Sequence, residues 1–217
     1  MIPSSERSGV RYGVAEPSDL AEMAALLGIA FSQQDVLAVA TGVTAAEFEA
    51  VVRHYNPHAA DAGLTVVARA ADTGEMVGAL LTEDASAPPS GGIEHVNPKF
   101  APTFDLLGQL DAEYRQGRAV TPGDRLHLIL LGVPRPWSGR GIGSQLVTTC
   151  LENGARKGYR LAVTEATGNA SQHIFRKLGF VVRVQRSYRD YLYRGEAVFA
   201  GIEGPAGPLL MDRTLRL

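Results

Sequence analysis

Apolar residues recur along this chain at two spacings, and the places where one gives way to the other mark the elements. Val10 to Ala15 is short and β-prone, a candidate strand. After Pro17-Ser18-Asp19 the apolar positions move to helical spacing, at Leu20, Met23, Ala24, Leu27 and Phe31. Ser32 to Thr44 carries mixed signals. Thr44 and Glu47 then have the spacing of a capping box and open a second helix through Phe48, Val51, Val52 and Tyr55. Leu64 to Ala70 and Met76 to Thr82 read as a hairpin turned by Ala71 to Glu75, which contain Asp and Gly. Ala85 to Gly92 break the pattern with Pro, Gly and Ser, and Phe104 to Tyr114 return to helical spacing. The rest predicts a strand (Arg125 to Val133), a helix (Ile142 to Lys157), a strand (Tyr159 to Glu165) and a helix (Asn169 to Leu178). A long strand (Val181 to about Tyr193) and a last strand (Leu209 to Leu215) complete the order.

The densest chemical signal sits at one strand–helix junction. Arg125 to Val133 is apolar and bounded by Gly123 and Pro134, and Ile142, Leu146, Val147, Cys150 and Ala155 share one face of the helix beyond. Between them runs Ser138-Gly139-Arg140-Gly141-Ile142-Gly143-Ser144. Three glycines at alternate positions let the backbone approach a ligand without Cβ interference. The unpaired N–H groups of the helix's first turn add a positive partial charge, so the unit is built to cradle a pyrophosphate. Neither a Walker A loop nor a Rossmann fingerprint fits. No Gly-Lys-Ser/Thr closes the loop, and Ser144 or Leu146 stands where a third Rossmann glycine belongs. The plainer alternative is a tight turn alone.

Composition narrows the class. With 217 residues, 45% hydrophobic, the chain is long enough for one domain with a sizeable core. We expect an N-terminal tail over residues 1–9 and a single domain over 10–217 with a helical insert at about 85–123. A net charge of −2 argues against a general nucleic-acid partner. The lone Cys150 lies on the core face of a helix and reads as a small hydrophobe, with neither a disulfide nor a metal site expected. The absence of a long apolar run and of an apolar N-terminal segment argues against membrane insertion and for a cytoplasmic protein.

The glycine loop resembles the coenzyme A loop of the GNAT superfamily of acyl-CoA N-acyltransferases, whose pattern is Q/R-x-x-G-x-G/A. Gly141 and Gly143 match, while Ser138 stands where Gln or Arg is usual. Asn169 to Phe180, with Ser171, Phe175, Lys177 and Gly179, resembles the family's second motif, its Asn displaced by one residue. The element order fits as well. The resemblance implies an α/β (α+β) fold: a mixed, mostly antiparallel sheet of about seven strands flanked by helices. That sheet would be splayed between the fourth and fifth strands. Acetyl-CoA would be the cosubstrate, held by Leu131, Gly132 and Val133 of the fourth strand, by Ser138 to Ser144, and by Asn169 and Phe175. Scattered matches at Glu94-His95, Pro98 to Phe100, the Leu107 to Tyr114 helix and Asp190-Tyr191 are similar to insect arylalkylamine N-acetyltransferases.

That resemblance implies direct attack of a small primary amine on an acetyl thioester. The amine must lose a proton, so a base is needed. His127 alternates with leucines, on the same strand face as Ile129 and Leu131, and is one candidate; a histidine satisfied by a neighbouring carbonyl is the plain reading. Glu16 stands near the position of the insect enzymes' glutamate, which Ser18 occupies here, beside Asp19. Phe175 replaces the tyrosine that serves many relatives as acid, so Ser171 is the hydroxyl expected near the thiol, with helix capping as its alternative. Glu165, Arg140 and Lys177 read as solvated or loop-supporting charges, Arg140 reaching toward a phosphate. The acceptor pocket is expected from Ser32–Thr44, the insert and the sixth strand. Phe31, Val36, Leu37, Phe100, Phe104 and Tyr188 make it apolar and suited to an aromatic or alkyl amine. A polyamine site would want several acids, in which those segments are not rich. Two alternatives stay open: a non-catalytic acyl-CoA sensor, and an acetyltransferase for protein N-termini or lysines. Homodimers are common in the superfamily, and the sequence leaves the assembly open.

Overall fold

The computed structural model describes residues 5–86, 97–117 and 121–215. One sheet holds eight strands: β1 (Ser5–Arg7), β2 (Val10–Val14), β3 (Val66–Ala70), β4 (Met76–Asp84), β5 (Arg125–Gly132), β6 (Leu161–Ala166), β7 (Val181–Gln185) and β8 (Leu209–Thr214). Their spatial order is β1-β2-β3-β4-β5-β6-β8-β7, and every neighbouring pair is antiparallel except β5–β6. The helices are α1 (Leu20–Gln34), α2 (Val36–Ala40), α3 (Ala45–Asp61), α4 (Ala101–Arg115), α5 (Ile142–Arg156) and α6 (Asn169–Lys177). This is the expected mixed sheet with flanking helices, with one strand more. Ser5–Arg7, within the stretch expected to be a tail, folds back on β2 across Ser8 and Gly9, whose φ angles of 52° and 73° make the turn.

Local signals explain most of the helix starts. Thr44 and Glu47 form the reciprocal cap at the head of α3, with Thr44 N–H donating to Glu47 at 2.8 Å and Glu47 N–H to Thr44 at 3.3 Å. In the segment of mixed signals, Asp35 accepts from Leu37 N–H (3.1 Å) and Ala38 N–H (2.9 Å), and this cap produces the short α2. Alternate side chains of the sheet then divide between two layers. Val66, Ala68 and Leu80 pack with Leu146, Val147 and Cys150 of α5, while Val67, Ala79 and Leu81 pack with Met23 and Leu27 of α1 and Val51 and Val52 of α3. Cys150 is buried against Thr82, its thiol pushed up to about 12 by desolvation, and it acts as a small apolar side chain.

Two departures from regular pairing shape the middle of the sheet. Thr82 pairs with Leu128 but Leu81 pairs with Leu130, so Ile129 has no partner on β4 and β5 bulges there. Ile129 and Leu130 consequently both face the α1–α3 layer, and Leu131 faces the α5 layer. The expected alternation that put His127, Ile129 and Leu131 on one face is therefore broken by the extra residue. The second departure is that β5 pairs with β6 only from Arg125–Leu161 to Leu128–Thr164. Beyond Leu128 the two parallel strands separate, which is the splay expected between the fourth and fifth strands of the sequence-derived order.

The long strand expected from Val181 to Tyr193 ends at Gln185. Tyr188 and Tyr191, three residues apart, are both buried and both pack on Phe199, at centroid distances of 6.0 and 5.6 Å. A strand with period two cannot turn both inward, so the chain folds into turns instead. There the backbone of residues 186–188 runs against 206–208, with Tyr188 N–H donating to Ala206 C=O at 3.0 Å. A Cβ on Gly207 would lie 1.7 Å from the Arg186 carbonyl oxygen. Gly207→Ala should therefore destabilise the fold by about 3 kcal/mol. The thermal midpoint should drop by roughly 6–12 °C, and an unchanged melting curve would refute this close approach.

Candidate active site

The splay opens into a cleft of about 810 Å³. Its floor is β5 from His127 to Gly132 with Val133 after it, and its walls come from the α1–α2 junction, α3, α4, the Ser138–Ser144 loop, β6 and α6.

The glycine loop forms part of its wall. Gly139 and Gly141 have φ of 77° and 80°, and a Cβ at either would point into open space. Gly141 caps α5 without any side-chain hydrogen bond, and the first intrahelical bond runs from Gln145 N–H to Gly141 C=O. The amides of Ile142, Gly143 and Ser144 are thus left for a ligand, with no acidic side chain in the first turn. These features fit the diphosphate of coenzyme A. Leu131, Gly132, Val133, Ser138, Gly139, Gly141, Ile142, Gly143, Ser144 and Phe175 all line the cleft. Arg140 does not: its guanidinium stacks 4.6 Å from the centre of the Trp137 ring. Asn169 is exposed at the first turn of α6 and also lies off the wall. Gly132 also serves the packing of α1. Its missing Cβ would meet Leu27 of α1 at 2.6 Å, so the glycine lets α1 sit on β5.

The cleft also carries an aromatic wall. Phe31 stacks on Phe48 (4.8 Å between centroids), Phe48 meets Phe100 edge-on (5.4 Å), and Phe100 stacks on Phe104 (5.9 Å). All four rings line the cleft, joined by Leu37. Val36 and Tyr188, also expected there, do not reach it. The Tyr188 hydroxyl instead donates to Thr167 C=O at 2.8 Å, and the Tyr191 hydroxyl donates to Asp105 at 2.6 Å.

The central polar group is His127. The antiparallel register puts Glu83 opposite it on β4, and the parallel register puts it beside Val163, two residues before Glu165 on the same face. Glu83 Oε1 lies 3.2 Å from Nδ1 and Glu165 Oε2 lies 2.8 Å from Nε2. Burial alone would lower the ring's pKa. The charge and hydrogen bond of Glu165, then those of Glu83, overturn this and lift it from 6.5 to about 10. His127 is therefore an imidazolium at neutral pH and holds its protons rather than accepting one. Glu165, expected as a solvated charge, is instead nearly buried, with 11% of its side chain exposed. Among the described residues no cluster of His, Cys, Asp or Glu could hold a metal ion.

The other candidates lie elsewhere. Glu16 is exposed at the head of the short helical turn Pro17–Asp19 and does not line the cleft. Asp19 beside it bonds the Glu16 N–H at 2.8 Å and pairs with Arg69 at 2.6 Å, a structural role. Ser171 lines the cleft, but its hydroxyl donates to Gly168 C=O (2.9 Å) and accepts from Gly168 N–H (3.2 Å), the capping alternative. A group missed from sequence is Asp35, which accepts from Thr167 Oγ1 at 2.7 Å across the cleft, its pKa raised by burial. Glu94-His95 lie outside the described residues.

A sequence model described as Acetyltransferase (GNAT) family matches residues 41–180. Among solved structures, the C-terminal condensation domain of Ebony in complex with β-alanyl-dopamine superposes with a TM-score of 0.85 at 14% identity, covering 94% of this chain and 98% of that one. Arylalkylamine N-acetyltransferase 2 from Aedes aegypti gives 0.80 at 20% identity, over 96% and 100% of the two chains. A Drosophila melanogaster polyamine N-acetyltransferase gives 0.72 at 19%, again over 96% and 100%. At such identities the likeness is one of fold.

The state of His127 can be read directly. Between 6.5 and about 10 the folded chain holds a proton that the unfolded chain has lost. The cluster's stabilisation is therefore complete below the lower value and is lost as pH rises through the upper one. Imidazole nitrogen NMR should show both ring nitrogens of His127 protonated at pH 8, and Glu165→Gln should bring the titration down. A neutral ring in the wild type at that pH would overturn the assignment.

Proposed function

The chain belongs to the acetyltransferase (GNAT) family, and on that premise we propose that it transfers the acetyl group of acetyl-CoA to the primary amine of a small aromatic or alkyl amine. The supporting observation is one cleft that joins an uncapped glycine-rich helix N-terminus, at the splay of β5 from β6, to a wall of four phenylalanine rings. Acetyl-CoA supplies an activated thioester carbonyl. The loop amides of Ile142 to Ser144 would hold its diphosphate, and the β5 edge beyond Leu128, free of β6, would offer backbone hydrogen bonds to the pantetheine and the thioester.

In the reaction the amine nitrogen bonds to the acetyl carbon and the carbon–sulfur bond breaks. One proton of the attacking amine ends on the thiolate, and the proton that made it an ammonium leaves beforehand. The protonated His127 is not the base. Its partners Glu83 and Glu165 are the acceptors that the cleft floor provides, and binding both reactants in one slot supplies the proximity.

Similar folds serve both arylalkylamines and polyamines. Acids do line this cleft: Asp111 is paired with Arg115 at 2.7 Å, Asp35 is occupied by two amides and Thr167, and Glu83 and Glu165 share the His127 ring between them. The aromatic wall therefore supports the apolar acceptor.

Purified protein with acetyl-CoA should release free thiol with tyramine and phenethylamine and much more slowly with spermidine. Turnover confined to spermidine, or absent with every amine while acetyl-CoA binds, would refute the acceptor assignment. Phe104, part of the wall yet not fully buried, gives a sharper test. Phe104→Ala should raise KM for tyramine about 3- to 10-fold, the worth of one ring contact, and leave KM for acetyl-CoA unchanged. Equal effects on both would place the ring outside the acceptor pocket.

A further inference from the structure

The charged groups on the cleft wall differ in how much of their charge is already used. Arg115 and Asp111 neutralise each other at 2.7 Å. Asp35 gives one oxygen to the amides of Leu37 and Ala38 and the other to Thr167. His173 is exposed on α6. The Glu83–His127–Glu165 row is different. One oxygen of each glutamate meets the ring, while Glu83 Oε2 and Glu165 Oε1 have no hydrogen-bond partner among the described residues. Both side chains are largely withdrawn from solvent, 20% and 11% exposed. With the ring protonated, two carboxylates and one imidazolium leave a single net negative charge. Half-buried free carboxylate oxygens around one unit of uncompensated charge suit one ammonium group, whose three N–H donors need acceptors.

We propose that Glu83 and Glu165, held in place by His127 between them, dock the ammonium group of the acceptor and restrict acceptors to amines carrying one positive charge. The inference rests on the reading of the cleft as a site of amine acetylation. His127 acts as a positioning residue and a charge counter: its positive charge halves the row's capacity for cations. A second cation on the acceptor would find only carboxylates that are already engaged, Asp35 by two amides and Thr167 and Asp111 by Arg115, or the rings of Phe31, Phe48, Phe100 and Phe104.

The test uses the full-length enzyme with tyramine, a monocation, and agmatine, a dication. Glu83→Gln and Glu165→Gln should each raise KM for tyramine about 10- to 100-fold, the loss expected for a charged hydrogen bond, with KM for acetyl-CoA unchanged. His127→Gln keeps a hydrogen-bonding side chain but removes the charge, and should raise the ratio of kcat/KM for agmatine over tyramine about tenfold or more. A merely structural role would not move that ratio. Unchanged tyramine KM in both glutamate variants, or an unchanged ratio in His127→Gln, would overturn the proposal; should His127→Gln not fold, the glutamate variants decide it. Calorimetric titration of tyramine separates the two readings. Wild-type binding that Glu83→Gln weakens, without turnover, would retain the docking site and refute acetyl transfer. A wild type that binds neither amine would overturn both.

Discussion

The parallel hydrogen bonding between β5 and β6 stops after Leu128 and Thr164, and the rest of the site depends on where it stops. A parallel pair is held by evenly spaced backbone bonds, so once the strands diverge nothing local draws them together again. The divergence leaves one edge of Ile129 to Gly132 without a strand partner, a position normally costly for backbone groups. The bulge at Ile129 works with it, because one extra residue reverses the facing of everything after it. His127 keeps to the side of Glu83 and Glu165, Ile129 and Leu130 join the aromatic layer, and Leu131 turns to the α5 side. One strand thereby serves the glycine loop, the polar row and the aromatic wall at once.

The opening has to be held by its surroundings. Gly132 lets α1 lie on β5 with Leu27 against the backbone, which fixes the wall carrying Phe31. Thr167, just after β6, donates to Asp35 on the α1–α2 junction, and its carbonyl accepts from the Tyr188 hydroxyl. These contacts make the cleft a built cavity with polar anchors on both sides, the form expected of a preorganised site.

Charge in the cleft is governed by pairing more than by composition. The segments expected to build the acceptor pocket are not acid-rich, yet the cleft contains Glu83 and Glu165, which arrive from β4 and β6. Glu165 is the only charged residue of β6, LAVTEA, and Glu83 ends the uncharged run MVGALLT of β4 with Asp84 after it. An acid at such a position is the signal that sequence offered for them, and without the strand registers it pointed to no partner.

Sequence alone determined most of the element order, the capping box of Thr44 and Glu47 and the glycine-rich start of α5, because these rest on local backbone physics: periodicity, caps and glycine conformations; the family followed from the resemblance of its motifs. It also found His127 and most of the aromatic wall. Tertiary structure decided the rest. The environment of His127 depends on residues 44 and 38 positions away, brought together by an antiparallel register on one side and a parallel one on the other. The expected long strand ended early because buried contacts among Tyr188, Tyr191 and Phe199 outweighed β-propensity. Whether a histidine gives or keeps its proton is likewise set by groups distant in sequence, since charge and burial act through space.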